Sequence, residues 1–314
     1  MPSSRASGLE ALLNRPEQKS FLQRFLRSPI KSTAQLLHRT FALPPPNSPK
    51  NSPPIHIVCI SDTHNTQPRL PDGDILIHAG DLTQSGTPQE LSTQIEWLHA
   101  QPHRHKIVIA GNHELCLDNQ KPTKNPPSVD WKSITYLGNT ATELEFRDDS
   151  HKGMRRVKVF GSPWTPKHGN WAFQYMRTEV EFWERTVDVP RETDILVTHG
   201  PPRGHLDVGG LGCPLLLRRL WGLEGRPRLH VFGHVHGGYG VAMAGWDSFQ
   251  RVYEGVMEGT EGVVGLVKML GFGVWRALNA YFGKYEQGVT VMVNAAVVGG
   301  VRDEKRREAL CITL

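Results

Sequence analysis

Five apolar segments of this 314-residue chain each end abruptly at polar residues that can bind metal ions. Their β-branched composition is typical of strands buried in a parallel sheet, and the carboxyl ends of such strands meet at one edge. The segments and the polar residues after them are Ile55–Ile60 with Asp62 and His64, Ile75–Ala79 with Asp81, Lys106–Ala110 with Asn112 and His113, Ile195–Thr198 with His199, and Leu229–Phe232 with His234 and His236. We therefore predict a metal site at this edge, and one that holds two ions.

Each motif alone has a simpler explanation. A single His at a strand end is usually structural, and a Gly-Asp or Gly-Asn pair usually forms only a turn. Five such motifs, each directly after an apolar segment, are hard to obtain by chance. Carboxylate, imidazole and amide ligands suit borderline-hard divalent cations, and a carboxylate such as Asp81 can bridge two of them. Two such ions can clamp the attacking and leaving oxygens of a phosphoryl group and lower the pKa of a bound water.

The order of these motifs resembles the calcineurin-like metallophosphoesterase superfamily over about residues 55–236, and again near Asn294. The resemblance implies an α/β fold, a four-layer αββα sandwich. It also implies that His113 donates a proton to the leaving oxygen. The implied ligands are Asp62, His64, Asp81 and His236 for one ion and Asp81, Asn112, His199 and His234 for the other.

Three further motifs, at residues 161–166, 169–173 and 198–207, resemble the metallophosphoesterase-domain-containing proteins of animals and fungi. Those proteins are similar to phosphodiesterases that act on nucleotide-type diesters. Protein phosphatases of the superfamily place a phosphate-binding Arg soon after the bridging Asp. Here Asp81 is followed by Leu-Thr-Gln-Ser-Gly, which disfavours a phosphoprotein phosphatase. Both His234 and His236 are present, so we expect a working site.

We therefore predict a hydrolase, a binuclear metal-dependent phosphoesterase. A phosphodiesterase for nucleotide-type or other small phosphodiesters is favoured, with a hydroxide that bridges the two metals as nucleophile. The cofactors would be two divalent ions drawn from Mn, Fe, Zn and Ni, since all accept this ligand set. One alternative is a catalytically weak nucleotide-binding or scaffold protein, and another is a phosphomonoesterase or protein phosphatase.

Particular residues are assigned to catalysis and to substrate binding. Asp81 and His113 are the predicted catalytic residues, and Asn112, His113 and Arg203 are the predicted substrate-binding residues. The alternative role for Arg203 is that of a solvated loop residue without contact to the substrate. An aromatic group either stacks on a base or packs beneath a long loop, and its members are Trp164, Trp171, Phe173 and Tyr175.

Residues 1–54 are rich in Pro and Ser and predict a disordered basic tail before a catalytic domain at residues 55–314. The net charge of the chain is +5, but residues 1–50 hold eight Lys and Arg against two Glu, which leaves about −1 for the remainder. We infer no nucleic-acid partner. Four scattered Cys residues without a C-x-x-C pair, and the lack of a signal-peptide core, predict an intracellular and cytoplasmic protein.

Two helical regions stand out within the domain. Pro88–His99 has apolar residues at helical spacing, with Thr87 as its cap, and predicts a parallel strand–helix–strand unit. A helical insert is predicted at residues 241–288.

Within the insert, residues 262–283 are strongly apolar, and Lys268 and Arg276 are their only charged residues. These two lie on one stripe of a helical wheel, and Val267, Leu278 and other apolar residues face elsewhere. Two central charges, at about 2.5–3.5 kcal/mol each, argue against a membrane span. A lid packed on the sandwich is favoured, and peripheral membrane contact is the alternative.

Overall fold

The computed structural model describes residues 21–44, 53–119, 129–148, 153–208, 210–283, 288–299 and 304–314. The helices are α1 (Phe21–Arg27), α2 (Pro29–Thr40), α3 (Pro88–His99), α4 (Phe182–Arg185), α5 (Pro214–Gly222), α6 (Ser248–Glu258) and α7 (Val263–Tyr281). The strands are β1 (His56–Ile60), β2 (Ile75–His78), β3 (His105–Val108), β4 (Thr135–Tyr136), β5 (Thr140–Asp148), β6 (Gly153–Ser162), β7 (Thr165–Pro166), β8 (Gln174–Tyr175), β9 (Ile195–Thr198), β10 (Leu229–Phe232), β11 (Gly240–Gly245), β12 (Val289–Asn294), β13 (Val298–Gly299), β14 (Lys305–Arg306) and β15 (Leu310–Thr313).

Two mixed sheets contain most of these strands. The first has the order β15-β1-β2-β3-β4 and the second the order β11-β12-β10-β9-β6-β5. Strands β1 to β4 pair in parallel, as do β6, β9, β10 and β12. Antiparallel strands β15, β11 and β5 form three of the four outer edges of these sheets, and the parallel strand β4 forms the fourth. All five segments predicted from their polar ends are therefore parallel strands.

Alternating side chains divide each parallel strand between two cores. In β1, Ile57 and Cys59 lie between the sheets together with Val197 of β9, whereas Val58 packs against α3 through Leu91. The outer face of the second sheet is likewise covered by α4 and α5. Since both faces of both sheets are buried, the order is helix, sheet, sheet, helix. The predicted αββα sandwich is confirmed.

Helix α3 begins and ends at the predicted residues. Its N-terminus is fixed by a capping box, in which Thr87 and Glu90 each accept a hydrogen bond from the backbone N–H of the other. The Thr87 hydroxyl accepts from the Glu90 backbone at 3.2 Å, and the Glu90 carboxylate accepts from the Thr87 backbone at 3.0 Å. Pro88 occupies the first turn, where no N–H is needed. The helix buries Leu91 and Leu98 and joins the parallel strands β2 and β3.

Part of the predicted disordered tail is helical. Helices α1 and α2 lie within it, and α2 packs on α6 and α7. The His38 ring stacks on Tyr253 at 4.1 Å, and Ala34 is fully buried in the same cluster. The composition of the segment alone could not repay ordering, but the insert supplies an apolar partner more than 200 residues away. Residues 1–20 and 45–52 of the predicted tail lie outside the described residues.

The insert also differs from its predicted bounds and orientation. Residues 241–245 belong to β11, which pairs with β12, so the helices begin only at Ser248. Helix α7 packs on α6 and α2, with Arg276 facing inward. The Arg276 Nε atom lies 2.7 Å from Asp247 Oδ2, and both side chains are buried. The apolar residues expected to pack against the sandwich as a lid instead face solvent.

Two glycines of α7 provide a matched test of this packing. A Cβ atom at Gly273 would lie 2.5 Å from the Phe41 ring, whereas one at Gly271 would meet nothing within 4 Å. We expect Gly273→Ala to lower the free energy of unfolding by about 1–3 kcal/mol through overpacking. Gly271→Ala should raise it by up to about 1 kcal/mol through helix propensity. Urea unfolding followed by circular dichroism measures both changes, and equal stabilisation by both would contradict the contact between α2 and α7.

Candidate metal centre

The candidate ligands follow the carboxyl ends of strands from both sheets. Asp62 and His64 come after β1, Asp81 after β2 and Asn112 after β3, and the remaining His residues follow β9 and β10. Face-to-face packing brings these ends together. Three groups have ligand atoms within 4.8 Å of one another, and they are Asp62, His64 and His236; His64, Asp81 and His113; and Asp81, His199 and His234. Asn112 joins them through its Oδ1 atom, 3.0 Å from His199 Nε2.

The Asp81 carboxylate lies at the centre of the cluster. Its Oδ2 atom is 3.2 Å from His199 Nε2, 3.9 Å from His64 Nε2 and 4.0 Å from His113 Nε2. Its Oδ1 atom accepts a hydrogen bond from the His113 backbone at 2.8 Å. Asp81 thus belongs to two of the three ligand groups, and its role as a bridging carboxylate stays a prediction.

Backbone carbonyls orient three of the imidazoles. A carbonyl oxygen can only accept a hydrogen bond, so the ring nitrogen beside it carries the proton and the other nitrogen is left to bind a ligand. In all three rings the protonated atom is Nδ1 and Nε2 points to the cluster. The pairs are His64 with Thr83 at 3.2 Å, His113 with Gln84 at 2.6 Å and His199 with Ala79 at 2.9 Å.

The buried Nε2 atom of His64 tests whether a metal ion fits. It has no hydrogen-bond partner within the described part of the chain. A buried polar atom without a partner is costly, and a lone pair in this position is satisfied by a cation. The surrounding donors are carboxylate oxygens, imidazole nitrogens and one amide oxygen, which suit a divalent ion. The residues present therefore fit a metal site.

The charges of the cluster point to the same conclusion. Burial opposes ionisation of Asp81, but His199 beside it holds the pKa of the carboxyl well below its usual value. In turn, Asp81 outweighs burial and raises the pKa of His199 to about 9. Burial, with His199 nearby, lowers the pKa of His234 to about 3, so this ring is neutral as a metal ligand must be. The centre therefore attracts positive charge, and His234 offers an uncharged imidazole to it.

Strained backbone holds four candidate ligands in place. Asp62, His64, Asp81 and His234 have φ angles of 54°, 44°, 55° and 64°, in the left-handed region that non-glycine residues rarely adopt. Beside them, a Cβ atom at Gly233 would lie 2.0 Å from Asp62 Oδ2. Strain of this kind persists where the surrounding structure enforces it and is concentrated at functional sites.

Glu114 is a buried residue of the site for which the sequence motifs predicted no role. Its fully buried carboxylate accepts from the backbone of Asp81 at 2.9 Å, of Thr83 at 2.9 Å and of Gly111 at 2.6 Å. It also accepts from the Thr83 hydroxyl at 2.8 Å. Burial, and then the charge of Asp81, raises the pKa of Glu114. The sequence signal for Glu114 was its place directly after Asn112 and His113. Through these hydrogen bonds its carboxylate joins the loop after β2 to the loop after β3.

The loop between β7 and β8 borders the cluster. Trp171 stacks on His113 with a centroid separation of 4.4 Å, and the His168 ring lies 4.7 Å from that of His234. His168 was not predicted. Of the aromatic group, Trp171 alone among the described residues contacts a candidate site residue in this way. Trp164, Phe173 and Tyr175 pack with one another or with Phe182, which is the packing alternative.

Arg203 points toward the insert. Its Nε atom lies 4.0 Å from Glu258 Oε1 of α6, and its backbone N–H donates to the Cys213 carbonyl at 3.1 Å. Among the described residues, no contact joins its side chain to the ligand cluster. Its role in substrate binding stays a prediction.

Comparison with known proteins agrees with this geometry. The chain is 39% identical over 224 residues to human metallophosphoesterase domain-containing protein 1, covering 65% of this chain and 68% of that protein. It is 38% identical to UPF0046 protein K07C11.7 of Caenorhabditis elegans, covering 63% of this chain and 71% of that protein.

A longer relative matches nearly the whole chain. The probable rhamnogalacturonate lyase C of Emericella nidulans is 52% identical over 98% of this chain. The chain spans only 29% of the length of that protein, so the activity in its name is not carried over.

A family model assigns the chain. The calcineurin-like phosphoesterase model matches residues 55–238, more than half of the chain, and this range contains every candidate ligand from Asp62 to His236. The resemblance found in the sequence is confirmed, and the chain belongs to the calcineurin-like phosphoesterase family.

Proposed function

We propose that this protein is a binuclear phosphodiesterase that hydrolyses nucleotide-type or other small phosphodiesters. Membership of the family establishes the broader class, a metal-dependent phosphoesterase. The observation that carries the binuclear assignment is the position of Asp81, whose Oδ2 atom lies 3.9 Å from His64 Nε2 and 3.2 Å from His199 Nε2, two imidazoles that belong to different proposed ligand sets. A site for one ion would not need a shared carboxylate.

Two sets of residues would hold the ions. The first is Asp62, His64, Asp81 and His236, and the second is Asp81, Asn112, His199 and His234. When bound, divalent cations polarise a phosphoryl oxygen and lower the pKa of a bound water. The N/O ligand set is compatible with Mn, Fe, Zn and Ni. Asp62 is held for this role by the His234 backbone, which donates to its two oxygens at 3.0 and 2.9 Å.

His113 is the proposed proton donor. Its Nδ1–H is committed to the Gln84 carbonyl, and its Nε2 atom faces Asp81 Oδ2 at 4.0 Å. The side chain keeps 14% of its surface exposed, more than Asp81 or His199, so its ring borders the space open to a substrate. With a proton on Nε2, it can transfer that proton to the leaving oxygen of an ester. Trp171 holds the ring by stacking on it.

The residues after Asp81 support a small ester rather than a phosphoprotein. In this chain residues 82–86 carry no Arg, and the first two of them are buried in the interior. Leu82 is fully buried in the core beside α3, and Thr83 donates to Glu114. The partly exposed Trp171 offers an aromatic surface next to His113 for the base of a nucleotide. The experiment that tests the proposal is metal-dependent turnover of a chromogenic phosphodiester compared with its monoester. Failure to turn over either would leave a scaffold or nucleotide-binding role.

Substitution of Asp81 tests the shared ligand. We expect Asp81→Ala to reduce turnover by about a thousandfold or more, because both ions lose a ligand and the developing charge loses its stabilisation. Elemental analysis should find that neither ion is retained. Asp72→Ala, at an exposed position, serves as the control. Two retained equivalents of metal in Asp81→Ala would contradict the bridging role.

Substitution of His113 separates proton donation from metal binding. His113→Ala should keep its metal content and lose activity by about 10²–10⁴-fold on esters with poor leaving groups. The loss should be small for a leaving group as acidic as nitrophenol, which needs little protonation. Turnover across a series of leaving groups measures this difference. A uniform loss across the series, or a loss of metal, would assign His113 to positioning or to ligation instead.

Substitution of Glu114 tests its positioning role. Glu114→Gln replaces an acceptor of four hydrogen bonds with a group that also donates, so the free energy of unfolding should fall by about 1.5–3 kcal/mol. Metal affinity should weaken by about 10–100-fold, since the loops that carry Asp81 and Asn112 lose their common anchor. The matched control is Glu90→Gln, a helix-capping acceptor that is only partly buried. Unchanged metal affinity in Glu114→Gln would show that Glu114 only stabilises the fold.

A further inference from the structure

The side of α7 that points away from the protein is apolar along the whole helix. Gly265, Met269, Gly273 and Arg276 form its buried side. Large apolar residues on the opposite side, and Phe282 directly after the helix, are each 51–66% exposed. We call these six residues the outer face of α7: Val264, Val267, Val274, Trp275, Leu278 and Phe282. Exposed apolar patches of this extent on soluble domains usually mark an interaction site.

Neither charged residue of α7 interrupts the outer face. Arg276 is turned inward, where its guanidinium pairs with Asp247 and lies over the Phe249 ring at 4.4 Å. Lys268 lies at the side of the helix and its Nζ atom is 2.9 Å from Glu261 Oε1. The two charges that argued against a membrane span in the sequence therefore do not enter the contact surface.

We propose that the outer face of α7 docks on the surface of an anionic lipid membrane. Charge complementarity selects this occupant. Helix α2 packs on α7 and on α1, and the two helices α1 and α2 contain four Lys and Arg residues and no Asp or Glu. Arg27 and Arg39 are exposed, whereas the Lys31 Nζ atom donates to the Met257 carbonyl at 2.6 Å. Helix α1 also exposes Leu22 and Leu26. An apolar helix face beside basic helices binds anionic lipid through both buried apolar area and electrostatic attraction.

The docking is interfacial. Helix α7 has 19 residues and is long and apolar enough to cross a bilayer by length and composition. One side of it, however, packs on α6 and α2, and its buried Arg276 pairs with Asp247 at the start of α6. A spanning helix would have to leave this packing, break the pair and expose the Arg276 charge to lipid. Trp275 and Tyr281, which are also exposed, are residue types enriched at the membrane–water interface.

Cosedimentation with vesicles tests the proposal on the full chain. Vesicles of equal parts phosphatidylserine and phosphatidylcholine are compared with vesicles of phosphatidylcholine alone. The test variant is Val267→Glu/Val274→Glu, at the centre of the outer face. The matched control is Val180→Glu, because Val180 is 55% exposed and Val274 is 51% exposed. Circular dichroism melting verifies that both variants are folded.

We expect the wild-type protein and the control to sediment with the anionic vesicles. The double variant should bind at least about tenfold more weakly, because it places carboxylates in an apolar layer. Binding of the wild type should fall with neutral vesicles and with added salt. Absence of wild-type binding, or equal binding by the double variant, would overturn the proposal, and equal binding to neutral vesicles would overturn the assignment to anionic lipid.

Analytical ultracentrifugation without lipid addresses a second copy of the chain as the occupant. We expect the wild type and the double variant to sediment at the same rate. The proposal would be overturned if the wild type were a dimer that does not bind vesicles and the double variant were a monomer. That result would assign the outer face of α7 to self-association.

Discussion

The site depends on one carboxylate, that of Asp81. It stands where the parallel strands of two sheets end, and two groups of imidazoles converge on its oxygens. Such a concentration of buried titratable groups is stable only if every charge has a partner. Asp81 and His199 hold each other in their charged forms, while burial keeps His234 neutral. Divalent cations bound here would replace this mutual compensation with direct coordination.

A second layer of backbone contacts makes this arrangement rigid. Carbonyls from residues 79–84 fix the tautomers of His64, His113 and His199, so the loop that carries Asp81 also orients the rings around it. Glu114 fastens that loop to the next strand end. These groups never need to touch a substrate. They set the positions of those that do, which is where the precision of a metal site originates.

Helices α1, α2, α6 and α7 pack together, and we call them the helical appendage. Buried polar contacts join this appendage to the αββα sandwich. His205, in the loop after His199, lies 2.8 Å from Glu254 of α6, and the Trp221 indole donates to the same carboxylate at 2.6 Å. The Gln250 amide adds a third contact, and His38 of α2 extends the network. The helical appendage, which includes the outer face of α7, is therefore fixed to the loop that begins at the candidate ligand His199. Docking of this appendage on a membrane would orient the αββα sandwich relative to the membrane surface.

Local patterns in the sequence determined the parallel strands, helix α3 and the identity of the candidate ligands. Each of these depends on neighbouring residues, because apolar strands, a capping box and polar strand ends are all read within about ten positions of the chain. Tertiary contacts decided the rest. Helix α2 is ordered by packing on an insert more than 200 residues later in the chain. Arg276 faces inward because it forms a buried ion pair with Asp247. Glu114 gains its role from loops that only the fold brings together. The two partners of each such contact are far apart in the sequence. A pattern of neighbouring residues therefore cannot show that they will meet in the folded protein.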